Sequence, residues 1–249
     1  MKKIILSNLL KIKNTSIQKL VFIFPMFCIV LALLFSSLGG ESILRLVAET
    51  TLNQWGIIWI NLIIAVVSGL LNKLEMDSNK YLIFLSRNID LKQVEYARII
   101  LIALISLAVS VVLGIILILV SFVIPTPSIT SLFKLMLTIL LIWVTTLWQI
   151  PFTLWLSRKT SLYFSVIVNV FAPLLIGTSF SLLEKWYLFP YDWSLKLLEP
   201  MTRMRINGIP FDSDFIPDYS LITISLGLSI ILFSILTELA AISFKRQVR

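Results

Sequence analysis

The chain of 249 residues contains no histidine. That removes imidazole metal sites, the H-E-x-x-H zinc protease pattern and the Ser-His dyads of serine-type intramembrane proteases. Cysteine occurs once, at Cys28 inside the first apolar run. No intrachain disulfide, CxxC pair or thiolate metal site can be built from it, and it reads as a small buried hydrophobe. Glycine is scarce as well. Only eight are present and none precedes a lysine, so the G-x-x-x-x-G-K-[ST] loop that wraps phosphates in backbone N–H groups is missing. An aspartyl intramembrane protease needs two carboxylates within apolar runs, whereas Asp192, Asp212, Asp214 and Asp218 share one polar interval. The expectation is a chain that is not itself an enzyme and holds no metal or cofactor, with no nucleic-acid partner. Charge is also low: 14% of residues, against 58% hydrophobic and a mean hydropathy of +0.98. Soluble domains carry about 25% charged residues, so the balance points to an integral membrane protein.

What is present is a series of apolar runs. A helix needs about 20 apolar residues, within a range of about 17–25, to cross the hydrocarbon core. Residues 20–38, 55–71, 99–124, 131–156, 161–183 and 221–244 qualify. The expected fold is an all-α polytopic membrane protein, one transmembrane domain over 1–249 with six transmembrane helices. Residues 1–19 carry five lysines and an interrupted apolar series (Ile5, Leu6, Leu9, Leu10, Ile17), as expected of an amphipathic helix lying in the interface.

Lys/Arg placement sets the expected orientation. With both termini inside, inner segments hold 15 and outer segments 6. The positive-inside rule then places both termini in the cytoplasm of a plasma-membrane protein. Trp55, Trp59, Trp186, Tyr187, Tyr191 and Trp193 read as aromatic anchors at the outer interface. The interval 184–220, 37 residues with four prolines, is long for a bare loop and reads as a packed outer cap. Pro25 reads as a kink in span one, and Pro151 and Pro173 as kinks or tolerated prolines in spans four and five.

The interval Asn72–Arg98 holds five Lys/Arg and four Asp/Glu around an apolar knuckle, Tyr81-Leu82-Ile83-Phe84-Leu85. Helical spacing brings Leu82, Leu85 and Ile89 to one face, with Lys80, Arg87 and Asp90 elsewhere. The knuckle is too short to cross a bilayer. It reads as a cytoplasmic coupling helix whose apolar face grips a partner, membrane-surface anchoring being the plainer alternative.

Six spans with cytoplasmic termini, a basic amphipathic N-terminal helix and a long last outer loop resemble the ABC-2 type permease subunits of ATP-binding cassette transporters. The run from Glu75 through Tyr81-Leu82-Ile83-Phe84-Leu85-Ser86-Arg87 to Arg98 is similar to that family's coupling region, "E…LLSRPVSR…AK". Leu85-Ser86-Arg87 matches its core, Asn88 stands in place of the usual proline, and Arg98 replaces the final lysine. The chain's size and the segment Pro190-Tyr191-Asp192-Trp193, followed by Pro200 and Asn207-Gly208, look most like the lantibiotic (bacteriocin) immunity permeases of Gram-positive bacteria. The resemblance implies two permeases, identical or sister subunits, on two cytoplasmic ATPases that bind ATP and Mg. Glu75, Tyr81, Leu82, Leu85 and Arg87 would couple to the ATPase. The implied cargo is an amphiphilic peptide taken from membrane lipid.

Within the runs, Trp143, Trp148 and Asn169 read either as a substrate path or as helix packing, and Asn61 as an interhelical hydrogen bonder. Glu238 reads either as a proton-linked carboxylate or as an ion-pair member with Lys245, Arg246 or a partner subunit. An ion-coupled secondary transporter remains the alternative function, an exporter of another amphiphile or drug the nearer one, and a membrane scaffold or sensor partner a third.

Overall fold

The computed structural model describes residues 2–12, 15–38, 40, 46–77, 90–124, 132–212 and 214–248. Their elements are helical apart from one isolated bridge between Met204 and Pro210. A short helix α1 (Lys2–Ile12) leads into α2 (Ser16–Leu38), which runs unbroken through Pro25. The second span is one long rod, α3 (Val47–Gln54) and α4 (Ile60–Asp77), joined by a π-helical turn over Trp55–Trp59. Widening a helix to a π turn disturbs its hydrogen-bond ladder, and here the Asn61 amide donates to the carbonyls of Gly56 (3.2 Å) and Ile57 (2.7 Å). The third span is α5 (Leu91–Ser121), capped by the Asp90 side chain, which accepts from the Lys92 N–H.

The fourth span is broken. Helices α6 (Leu132–Thr146) and α7 (Gln149–Lys159) meet at 44°. Pro151 supplies the cause: its ring displaces the carbonyl four residues earlier, at Leu147, and it has no N–H to give. The fifth span is α8 (Leu162–Phe171), opened by a Ser161 cap, then a π turn over Ala172–Gly177 and α9 (Thr178–Phe180). Pro173 sits inside that π turn, where the ladder is already loosened. Among the described residues five helical stretches are long and apolar enough to cross a membrane, or six if the bent α6–α7 pair is one span.

Boundaries differ from the apolar runs. Helix α5 starts at Leu91 rather than Ile99, the second span covers Val47–Met76 rather than 55–71, and the last helix, α12 (Ser220–Val248), extends beyond 221–244 at both ends. Helices do not stop where apolarity stops. They continue while polar side chains find partners or solvent.

Broad apolar faces remain uncovered on α2 (Phe22, Ile23, Phe27, Leu34, Phe35) and α12 (Ile230, Ile231, Ile235, Leu239). Contiguous exposure on this scale is foreign to soluble monomers and is what lipid-facing surfaces look like. The expected interfacial belt of aromatics is different. Trp55, Trp59, Trp186, Tyr191 and Trp193 are buried, and only Tyr187 among the six is exposed. Large rings bury more area inside than at an interface, so Trp59 packs on Phe24 and Phe27 while Trp186, Tyr191 and Trp193 cluster with Trp148.

Residues 186–206 form a compact cap. It holds a 3₁₀ turn (Trp186–Leu188), α10 (Asp192–Lys196) and α11 (Leu198–Thr202), the last ended by Arg203 in the left-handed region. The cap reaches well into the bundle: the Tyr191 hydroxyl donates to Asn169 Oδ1 of α8 at 3.1 Å.

Candidate functional site

Where α1, the start of α5, the end of α7 and the end of α12 converge, the interior is charged. Leu91 and Val94 of α5 pack with Phe244 of α12 and Ile4 of α1. Four residues along the same helix from Leu91 and Val94 respectively come Glu95 and Arg98, a spacing that puts both on one inward face. Arg98 Nη1 lies 3.1 Å from Glu95 Oε2, while Arg158 Nη1 of α7 bonds the other oxygen, Glu95 Oε1. Arg98 Nη2 donates to Asn72 Oδ1 of α4. The Asn72 amide donates onward to the Leu154 carbonyl (3.0 Å) and to Ser157 Oγ (2.5 Å). Both guanidiniums lie over the Phe244 ring, at 5.6 Å for Arg98 and 5.0 Å for Arg158.

Side-chain exposures of 0% for Glu95, 2% for Arg98 and 4% for Arg158 mean the cluster lives off its own partners. Ions taken from water cost several kcal/mol each, about what a buried pair of good geometry returns. The two-pronged carboxylate, the amide and the π face supply that geometry. A second link lies at the rim. Tyr96 Oη donates to Glu238 Oε1 at 2.6 Å, and Lys92 Nζ lies 3.6 Å from Glu238 Oε2. Glu238 is thus paired, but with Lys92 and Tyr96 of α5 rather than with Lys245 or Arg246, and its side chain is 59% exposed.

The first two turns of α5 therefore hold α4, α7 and α12 at once. Glu75, one turn beyond Asn72 on α4, is buried beside this end. Tyr81, Leu82, Leu85 and Arg87 lie outside the described residues, in the stretch that joins α4 to α5.

The other predicted positions lie deeper. Trp143 donates its indole N–H to the Ala103 carbonyl (3.2 Å) and Ser106 Oγ (3.1 Å), tying α6 to α5. Trp148, at the α6–α7 bend, stands edge-on to Tyr191 at 4.9 Å and to Trp193 at 6.2 Å. Asn169 is buried, accepts from Thr153 and Tyr191, and donates to the Ser165 carbonyl. Gln149 donates to Asn61 at 2.7 Å across α7 and α4. Beside the bend lies an apolar cavity of about 450 Å³ lined by Pro151, Phe152, Trp155, Leu236, Leu239 and Ala240.

In the cap, Asp192 is buried with neither carboxylate oxygen hydrogen-bonded among the described residues. Burial pushes its carboxyl up to about 8, with Lys196 pulling the other way. Burial likewise raises the Tyr191 phenol. No group of three metal-ligating side chains exists among the described residues.

Glu95, Asn72 and Arg158 were not singled out by the sequence. Their signal was present in Glu95-x-x-Arg98 entering one apolar run while Arg158 closes another. No family model matches the chain, and no curated protein or solved structure does either.

Proposed function

We propose that this chain is the permease subunit of an ABC-2 type exporter in the plasma membrane, working with a second permease and two cytoplasmic ATPases. The carrying observation is the clamp at the start of α5. A push delivered to the stretch between α4 and α5 meets a helix tied to three others through Glu95, Arg98, Tyr96 and Lys92. Such ties turn a local displacement into rigid-body movement, because packed polar interfaces do not stretch continuously. The docking helix would lie within 78–89, with Tyr81, Leu82, Leu85 and Arg87 on its gripped surface and Glu75 at its root. ATP and Mg belong to the partner. The cargo is an amphiphilic peptide of the lantibiotic class, drawn from lipid. The apolar cavity beside the α6–α7 bend supports a lateral entrance, and the cap packed on Trp148 supports movement relayed from the bend to the far face.

The test is co-expression with a candidate ABC ATPase, followed by killing curves with a panel of lantibiotics and ATPase assays on the purified complex. The complex raises the lethal concentration, whereas Tyr81→Asp and Leu85→Asp remove protection and substrate-stimulated hydrolysis while membrane insertion stays normal. Protection that survives both substitutions refutes the docking surface. Transport by the permease alone, abolished in Glu238→Gln, establishes an ion-coupled carrier instead.

A further inference from the structure

A second polar feature lies on the outside of the charged cluster. Between the end of α4 and the α7–α8 turn is a cleft of about 430 Å³. Its cationic lining is Lys73 and Arg158, its hydroxyl lining Thr160, Ser161 and Tyr163, and no Asp or Glu is among the described lining residues. Glu95 fixes Arg158 from behind, holding that charge at the cleft wall. Lys73 is exposed and makes no ion pair among the described residues. Ser161 Oγ accepts from the Phe164 N–H at 3.1 Å, which leaves its own hydrogen free to donate outward. Tyr163 is strongly exposed. The membrane side of the same cleft is apolar, with Leu70 and Leu162.

Cations and hydroxyl donors above, alkyl side chains below, at the ends of two membrane-length helices, match a phosphodiester with acyl chains attached. We propose that this cleft binds a phosphate group, supplied by the headgroup of an anionic phospholipid. Lys73 neutralises the charge at the cleft mouth, the buried Arg158 cation behind the wall adds positive potential, and Ser161 and Tyr163 donate to the free oxygens. The acyl chains run down the surface of α4 and α8. Free inorganic phosphate shares the polar chemistry but would leave the apolar wall unused. The bound headgroup braces the α7–α8 turn against α4, next to the clamp. The inference does not depend on what the chain transports.

The test uses the full chain in nanodiscs containing equal phosphatidylglycerol and phosphatidylcholine, with retained lipid counted by native mass spectrometry. Phosphatidylglycerol is retained in preference. Lys73→Ala lowers its retention about fivefold, the weight of one cation near a lipid surface, Lys73→Arg restores it, and Lys185→Ala beside the cap changes nothing. Thermal midpoints of the variants exclude misfolding. Equal retention of the two lipids, or equal losses in Lys73→Ala and Lys185→Ala, overturns the site. In a second arm, inorganic phosphate is titrated into phosphatidylcholine nanodiscs. No shift in the melting midpoint is expected, and a shift in wild type that Lys73→Ala abolishes overturns the lipid source in favour of the free ion.

Discussion

Glu95 answers two guanidiniums at once, so its charge is worth more to the fold than either arginine's. Glu95→Gln keeps the shape and removes the charge, leaving Arg98 and Arg158 as two uncompensated cations over the Phe244 ring. Breaking a buried pair from one side costs about 3–5 kcal/mol, and the thermal midpoint in detergent should fall accordingly. Adding Arg158→Met removes one stranded cation while keeping apolar contact with the ring. The double variant should therefore be more stable than the two single losses predict. Simple additivity would mean the three residues do not act as a unit. Asp192 is the opposite case, a carboxyl without a hydrogen-bonding partner among the described residues. Its folded value, about 8, lies above the ordinary 3.8. Below pH 3.8 folded and unfolded chains both hold the proton and the residue contributes nothing. Between the two values only the folded chain holds it, so stability falls as pH rises, and above 8 the loss is complete. Asp192→Asn mimics the protonated acid. In chemical-denaturation curves it should match wild type near pH 4 and exceed it at pH 8, whereas parallel pH profiles would show that Asp192 ionises normally in the cap.

Helices here meet closely where glycine permits it. A Cβ built on Gly69 of α4 would sit 2.7 Å from Leu162 Cγ and 3.0 Å from Leu162 Cβ, with α8 directly behind. Overpacking of this kind costs about 1–3 kcal/mol. Gly69→Ala should lower the melting midpoint, and Leu162→Ala in the same chain should restore much of it. Gly114→Ala is the contrast, since its nearest atom is the thioether of Met136, a flexible side chain, and it should lose less. If both glycines behave alike, close approach is not what Gly69 provides. The existence and order of these helices were legible because bilayer thickness imposes a length that composition reveals. Their ends were not. Helix α5 begins eight residues before the apolar run because Lys92, Glu95 and Arg98 all find partners on other helices. Tyr96 and Glu238 are 142 positions apart, a distance over which no spacing rule operates. Pro151 did announce trouble in the fourth span, but the break falls four residues earlier, where the displaced carbonyl is. The proposed coupling residues rest on a short motif alone, and the clamp that would make them effective is a tertiary fact.

Taken as a whole, the molecule has two unlike ends. One gathers α1, the clamp, the anionic-lipid cleft and the final turn of α12 with Lys245 and Arg246, while the other carries α3, the aromatic cluster and the cap. Retention of basic segments in the cytoplasm predicts that the first end faces inside, and the exporter reading requires it, since an ATPase can reach residues 78–89 only there. The lone cysteine makes the question tractable. Cys28 is buried against α3, with Sγ 3.9 Å from the Thr51 carbonyl, so Cys28→Ala leaves a background without thiols and at modest cost. Single cysteines then go to exposed positions at the two ends, Ser7→Cys and Lys159→Cys at one, Lys185→Cys and Asn207→Cys at the other. A membrane-impermeant maleimide applied to intact cells should modify the cysteines at 185 and 207 and spare those at 7 and 159 until the membrane is opened. The reverse pattern would put the clamp outside the cell, out of reach of any nucleotide-driven partner. Labelling of all four sites in intact cells would mean the chain inserts both ways round. Either result removes the exporter proposal, while the helix packing and the Glu95 cluster stand regardless of which way the molecule faces.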